Sequence, residues 1–327
     1  MRRRDFLSLI GAATVAAPSI VRAQVVRKMP TVGYLWHAGS PKEETPYYEA
    51  VIDGFARLGY FDGQNISLLH RFPNEIPDRF RSMAAELVSL NVDVLMGGSL
   101  GSSYLRDITT TIPIVFMFVP DPVGMKLAQS LAHPGGNITG LSNFGGEIAG
   151  KRLQLLKELV PGLQRVGLLT NPDQQTNRIY VEVMGEAARR LGLTLGTFDA
   201  RSVADMEGAF DAMAKAGVQA MTPTQGGTAF QGRAVIPRLA LERRIAMCAY
   251  SKETFEFGAL VSYGADQVEM CRRAAVFADK ILKGTKPADI PIEQPSSFEF
   301  LINLKTAKAL GLEVPLSHQQ LANEVVE

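Results

Sequence analysis

The sequence predicts an α/β protein built of two doubly wound, Rossmann-like lobes joined by a hinge that the chain crosses several times. Three observations lead there. The 327 residues are too many for one ordinary small domain and suit two lobes of roughly 130 to 150 residues each. Short apolar runs alternate with amphipathic stretches at helical period, and the alternation starts afresh past the Gly/Pro-dense segment His133 to Gly140. Runs such as Ile114-Val115-Phe116-Met117-Phe118-Val119 have no polar face to show to water, as in a parallel sheet covered by helices on both sides.

In chain order, strands are expected at Thr31 to His37, Ile66 to Phe72, Val92 to Gly97 and Ile112 to Val119, with helices near Tyr47 to Leu58, Asp78 to Leu90 and Ser102 to Thr109. The second set has strands at Arg165 to Asn171, Thr194 to Phe198, Val218 to Thr222 and Ile245 to Tyr250. Its helices lie at Gly185 to Leu191, Asp205 to Ala216 and Ala234 to Arg243. Each half closes a helix on Leu-Gly before its second strand, Leu58-Gly59 and Leu191-Gly192, where glycine suits the left-handed closing residue. Beyond these come a strand at Leu260 to Tyr263, a helix at Gln267 to Leu282 with Val268, Cys271, Ala275, Ala278 and Leu282 on one face, a strand at Phe298 to Leu304 and a helix at Lys305 to Leu310. These are too few for a third domain, so they return to complete both lobes. The expected partition is residues 30–138 with 264–290 as lobe one and 139–263 with 291–327 as lobe two.

The first 23 residues read as an export leader. Arg2-Arg3-Arg4 is a positive start, Phe6 to Val21 an apolar run broken by Pro18, and Val21-Arg22-Ala23 a small-residue cleavage site. Arg3-Arg4-Asp5-Phe6-Leu7 resembles the twin-arginine pattern. The run is shorter than the roughly 20 apolar residues needed to span a membrane, so stable membrane insertion is not expected. Cleavage near Ala23 would leave a periplasmic chain. It would remove four arginines and one aspartate, turning a net charge of +1 into −2. A balance so near neutral, with no basic stripe, excludes nucleic acid as a partner. Cys248 and Cys271 each sit in an apolar context that suits a buried free thiol, with a single disulfide as the alternative.

Chemistry is sparse. Gly97-Gly98-Ser99-Leu100-Gly101 fits the G-x-S-x-G elbow of a serine hydrolase, but the histidines downstream are His133, in the segment expected to cross between lobes, and His318, in the C-terminal tail. The same residues have a simpler use: the free N–H groups opening a helix, with the Ser99 and Ser102 hydroxyls, can bind a carboxylate or phosphate oxygen. No Gly-rich phosphate cradle follows the first strand, and the four histidines never stand at metal-ligand spacing. Neither a cofactor nor a metal is expected.

Small polar and aromatic residues do gather at the C-terminal ends of the expected strands, where open α/β sheets bind ligands. The candidate ligand-binding set is Trp36, Ser40, Ser99, Gly101, Ser102, Asp121, Asn143, Asn171, Thr224, Gln225 and Tyr250. Each alone is as well explained by a capping turn; their convergence on one cleft points to a site. Trp36, with Tyr250 and Phe230, would stack on an apolar ligand group or else pack in a lobe core. In this reading the Ser99–Ser102 helix start holds a ligand carboxylate, Asp121 holds an amine or else caps the helix after Pro122, and Asn171 and Thr224 reach in from lobe two.

Taken together, several segments resemble the bacterial ABC transporter substrate-binding proteins of the tryptophan/tyrosine-transporter type. They include Arg2-Arg3-Arg4-Asp5-Phe6, Leu58-Gly59-Tyr60 with Gly63-Gln64-Asn65, Thr110 to Phe116, Asp121-Pro122-Val123 and His133 to Asn137 with Thr139-Gly140. Lys151-Arg152-Leu153, Leu155 to Pro161, Ser262-Tyr263-Gly264, Ile281 to Gly284 and Ile302 to Gly311 extend the resemblance over nearly the whole chain. The resemblance implies two lobes of the type I periplasmic-binding fold, no enzymatic activity, and a monomer that captures a small organic ligand such as an amino acid or aromatic-like acid. It implies an inner-membrane ABC permease as partner. A ligand-sensing role at a receptor is the alternative, and hydrolysis at Ser99 a more remote one.

Overall fold

The computed structural model describes residues 29–143 and 145–327. The leader expected at residues 1–23 lies outside the described residues.

The first lobe is a five-stranded parallel sheet of β1 (Thr31–Leu35), β2 (Ser67–Arg71), β3 (Val94–Gly97), β4 (Ile114–Val119) and β5 (Ile138–Ser142), in the order β2-β1-β3-β4-β5. The second sheet holds β6 (Arg165–Thr170), β7 (Thr194–Asp199), β8 (Ala220–Pro223), β9 (Ala246–Ala249), β10 (Val261–Ala265), β11 (Phe298–Asn303) and β12 (Glu324–Val326). Its order, read from one edge, is β7-β6-β8-β9-β10-β11-β12, and only the β10–β11 pair is antiparallel. The first five strands of each sheet therefore follow the same winding. The repeat read from alternating apolar runs is a repeat of topology.

Strand β4 is apolar throughout because helices cover both of its faces. Val115 and Met117 enter one apolar cluster and Ile114, Phe116 and Val119 the other. The helix Gln267–Leu282 lies on the first lobe against Tyr47–Arg57, although it follows β10 of the second sheet. Their approach is close because a Cβ at Gly54 would collide with the Arg272 carbonyl. Asp266 starts the longer helix by accepting the Glu269 N–H at 2.8 Å.

Three crossings join the lobes: after β5, between β10 and the helix Gln267–Leu282, and in the stretch before β11. The first falls later than the sequence suggests. The segment 133–140 is not the crossing: residues 133–137 form a turn, with Gly135 and Gly136 both left-handed, and the turn leads into β5 at Ile138. Asn137 Nδ2 donates to the Ile112 carbonyl at 2.7 Å and fixes the new strand beside β4. The first sheet thus extends to Ser142. Strand β5 reads Ile-Thr-Gly-Leu-Ser, too polar for the apolar-run criterion, and Gly140 is needed there because any Cβ would strike the Phe116 backbone.

Cys248 belongs to the core of the second lobe and Cys271 to that of the first; both are free and buried, which disposes of the disulfide alternative. Among the described residues, no helix is long and apolar enough to cross a membrane.

Candidate functional site

Open parallel sheets form a crevice where the strand order reverses, at the C-terminal ends of the two strands on either side. In the first sheet that point lies between β1 and β3, and in the second between β6 and β8. The two lobes meet over these ends. Gln174 Nε2 donates to Glu75 Oε2 at 3.3 Å, Asn143 Nδ2 to Gln225 Oε1 at 2.7 Å, and Gln231 Nε2 to Asn74 Oδ1 at 3.3 Å. The Tyr47 hydroxyl stands 2.8 Å from Gln267 Oε1 and 3.0 Å from Glu253 Oε2. Arg233 lies over the Phe230 ring, 4.1 Å from its centroid, and donates to the Glu43 carbonyl at 3.3 Å. The lobes are closed on each other.

Between them remains a cavity of about 70 Å³, several times the roughly 10–15 Å³ that one water molecule requires. Much of its wall is aromatic. Trp36, Tyr47 and Phe118 come from the first lobe, and Tyr180, Phe230 and Tyr250 from the second. Trp36 serves both as wall and as core: it is 3% exposed, stacked on Tyr34 at 3.7 Å and flanked by Phe72 at 6.2 Å. Its indole N–H donates to His70 Nδ1 at 3.0 Å, and burial pulls His70 down to about 4, so that the ring is neutral and can accept. Phe118 is left-handed, at φ 60°, beside an irregularity in the pairing of β4 with β5. For a bulky residue this backbone is costly. Tyr47 stacks on Phe230 at 5.1 Å, one ring from each lobe.

Besides the glutamines Gln174, Gln225 and Gln267, two polar groups interrupt the aromatic wall. One is the start of the helix Ser99–Ile108, where Gly98, Ser99, Leu100 and Gly101 all line the cavity. The first N–H groups of a helix lack partners within it and carry its positive end. Ser99 Oγ is buried and has no hydrogen-bond partner among the described residues. A Cβ at Gly101 would come within 2.7 Å of the Leu35 carbonyl, so glycine lets this helix sit tightly on β1.

The other polar group is His37 with Glu75, which line the cavity, and Glu44 behind them. Glu44 is wholly buried and accepts the backbone N–H groups of His37 (2.9 Å) and Ala38 (2.6 Å). The His37 ring stands between two carboxylates, with Nε2 3.3 Å from Glu44 Oε2 and Nδ1 3.4 Å from Glu75 Oε1. Neither of these two carboxylate oxygens is hydrogen-bonded among the described residues. Burial pushes the Glu75 carboxyl up to about 7, with the nearby Glu44 charge adding to the rise while His37 and the Gln174 hydrogen bond oppose it.

Of the residues expected at the site, Trp36, Ser99, Gly101, Gln225 and Tyr250 line the cavity. Asn143 is buried next to it and holds Gln225. The others are engaged elsewhere. Ser40 caps the helix Pro41–Glu44, Ser102 Oγ donates back to the Ser99 carbonyl at 2.9 Å, and Asp121 closes a turn by accepting the Gly124 N–H at 2.8 Å. Asn171 donates to Thr228 Oγ1 at 2.8 Å and Thr224 Oγ1 to the Leu169 carbonyl at 3.3 Å; both line a smaller crevice inside the second lobe. His133 and His318 do not reach Ser99. The first makes its backbone hydrogen bonds to Ser130, and the second pairs with Glu158 at 2.9 Å. His37, Tyr47, Glu75, Phe118, Gln174 and Tyr180 also line the cavity and are absent from the set expected from strand ends.

The chain is 26% identical over 283 residues to a tyrosine-binding protein of Clostridioides difficile strain R20291, a match spanning 83% of this chain and 79% of that one. A crystal structure from Streptococcus pneumoniae, described as an ABC domain in complex with L-Trp, superimposes with a TM-score of 0.84 at 26% identity. The superposition covers 91% of this chain and all of that one. A conserved domain protein from Vibrio cholerae O1 biovar El Tor superimposes equally fully, with a TM-score of 0.85 at 26% identity. The family match over residues 44–326 takes in all three crossings and the whole second sheet, and the chain belongs to the ABC transporter substrate binding proteins.

Proposed function

We propose that this protein captures an α-amino acid with an aromatic side chain between its lobes, outside the cytoplasmic membrane, and releases it unchanged to an ABC permease. The aromatic cavity with a helix N-terminus in its wall carries this reading. Rings from both lobes suit a planar apolar side chain, and the free N–H groups at Ser99 to Gly101 with the unpartnered Ser99 hydroxyl suit a carboxylate. The tyrosine and tryptophan ligands of the two relatives fit the same description. Export of the chain by its arginine-led N-terminal segment and delivery to a permease complete the proposal.

Micromolar capture corresponds to about −8 kcal/mol, within reach of one buried ring and a few charge-assisted hydrogen bonds. Thermal unfolding of the mature chain against single amino acids tests it. Aromatic amino acids should raise Tm in proportion to the logarithm of their concentration, because a ligand of the closed form stabilises by mass action. An unchanged Tm with millimolar tyrosine, phenylalanine and tryptophan would remove the reading.

A further inference from the structure

We infer that Glu75 receives the ammonium group of the ligand and that, through Gln174, it makes ammonium recognition and lobe closure a single event. The inference rests on the amino-acid reading above and deepens it by assigning the amine, which the sequence placed on Asp121. The Asp121 carboxylate is occupied by its own turn.

Glu44 and Glu75 share a single imidazole, His37, which even when protonated balances only one of them. The second-lobe neighbours of Glu75, Gln174 and Gly227, are neutral, and Arg233 is turned to the Glu43 carbonyl. Among the described residues, the two carboxylates therefore lack one positive charge. Glu75 lines the cavity, its Oε2 takes a hydrogen bond from Gln174, and its buried Oε1, 3.4 Å from His37 Nδ1, takes none among the described residues. A buried carboxylate with an open acceptor beside an aromatic wall selects a cation with N–H donors.

The backbone holds this carboxylate in place. Asn74 and Glu75 are both left-handed, at φ 57° and 56°, with their N–H groups donated to the Ala38 and His37 carbonyls at 3.0 and 2.8 Å. From the other lobe, Gln174 reaches Glu75 alongside Gly227, where a Cβ would overlap Glu75 Oε1. A ligand ammonium at Glu75 would keep the carboxylate ionised and leave Oε2 as the acceptor that draws in Gln174.

The test compares L-tyrosine with 3-(4-hydroxyphenyl)propionate, which lacks only the ammonium, by quenching of Trp36, the single tryptophan. Wild type should prefer L-tyrosine. Glu75→Gln should weaken L-tyrosine about 30-fold, equivalent to about 2 kcal/mol, and leave the des-amino acid within about threefold, so that the preference collapses. Glu75→Asp, which keeps the charge on a shorter arm, should lose part of the affinity for L-tyrosine alone and serves if the glutamine variant does not fold. Equal losses for both ligands, or no loss, would overturn the assignment while leaving capture of amino acids intact. A wild-type protein that ignores both ligands, together with phenylalanine and tryptophan, would overturn the functional reading and this inference with it.

Discussion

Gly227→Ala separates closing from folding. Gly227 begins the short helix Gly227–Gln231 on the second lobe, and it is not among the residues with positive φ, so alanine suits its backbone. Within its own lobe the change should be neutral, or stabilise by the roughly 0.4–1 kcal/mol that Gly→Ala gains from a less flexible unfolded chain. Across the cleft the new methyl would overlap Glu75 Oε1. That oxygen ends a long side chain and can swing away, but only by straining the 3.3 Å hydrogen bond between Glu75 and Gln174 and changing the contact with His37. Overpacking of this kind costs about 1–3 kcal/mol, and all of it falls on the closed form. Affinity should therefore drop about 5- to 150-fold, while the ligand-free protein unfolds at an unchanged or slightly higher temperature. Trp36 quenching measures the first quantity and thermal unfolding the second. Affinity within twofold of wild type would show that Glu75 and Gly227 do not meet in the ligand-bound form; a lowered Tm without ligand would show that Gly227 serves the fold of its own lobe.

Ser99→Ala should weaken a carboxylate ligand by about 1 kcal/mol, the worth of one hydrogen bond, without lowering stability, since Ser99 Oγ has no partner among the described residues; isothermal titration and thermal unfolding read the two effects. The pH response has a definite sign. Burial holds the Glu75 carboxyl up at about 7, above its ordinary value, and the share of that burial contributed by the second lobe makes closure take up a proton, so that closure weakens as pH rises from the ordinary carboxyl range through 7. Small-angle scattering of the ligand-free protein should show a smaller radius of gyration at pH 6 than at pH 8, and Glu75→Gln should remove the difference. Arg152 is 2% exposed, donates Nε to the Tyr263 carbonyl at 2.7 Å, and has no ion pair with a described carboxylate. Arg152→Ala should destabilise by about 3 kcal/mol or more in urea denaturation through the cavity and the stranded carbonyl, and Arg152→Met should recover part of that by filling the space.

The fold was legible where burial writes itself into composition. Strands β1, β3, β4, β6, β8 and β9 are buried along most or all of their length, and an apolar run suffices to find them. It fails for β5, whose threonine, glycine and serine are buried because Thr139 Oγ1 donates to the Ile290 carbonyl and Gly140 packs on backbone. It fails also for the start of the helix Gln175–Arg190, whose first turn, Gln175-Thr176-Asn177-Arg178, is polar. The site was legible only at strand ends. Trp36, Ser99 and Tyr250 stand there. Tyr47 belongs to a helix, Phe118 looks like one more core residue in an apolar run, and Glu75 lies in the link before the helix Pro77–Ser89. Asn74, a residue type tolerant of left-handed backbone, was the available hint that the chain turns sharply at Glu75. That Glu75 faces Gln174 follows from closure, which local sequence does not encode.

The same closure explains why the two lobes, alike in winding, contribute unlike groups. Equivalent strand order places a reversal point at the C-terminal ends of β1 and β3 and another at those of β6 and β8. In the second lobe that crevice is occupied from within: Asn171 is bonded to Thr228 and to the Arg201 carbonyl, and Thr224 to the Leu169 carbonyl. Only about 10 Å³ of space remains there. In the first lobe the corresponding crevice keeps Ser99, whose hydroxyl has no partner among the described residues, with the helix start it opens and Trp36. A duplicated architecture has thus become a seat and a cover. The first lobe supplies the groups that lack partners among the described residues, and the second brings Gln174, Gln225 and, from the helix Gly227–Gln231, Phe230 over them. On this division, substitutions at Asn171 should cost stability before affinity, and substitutions at Ser99 should do the reverse.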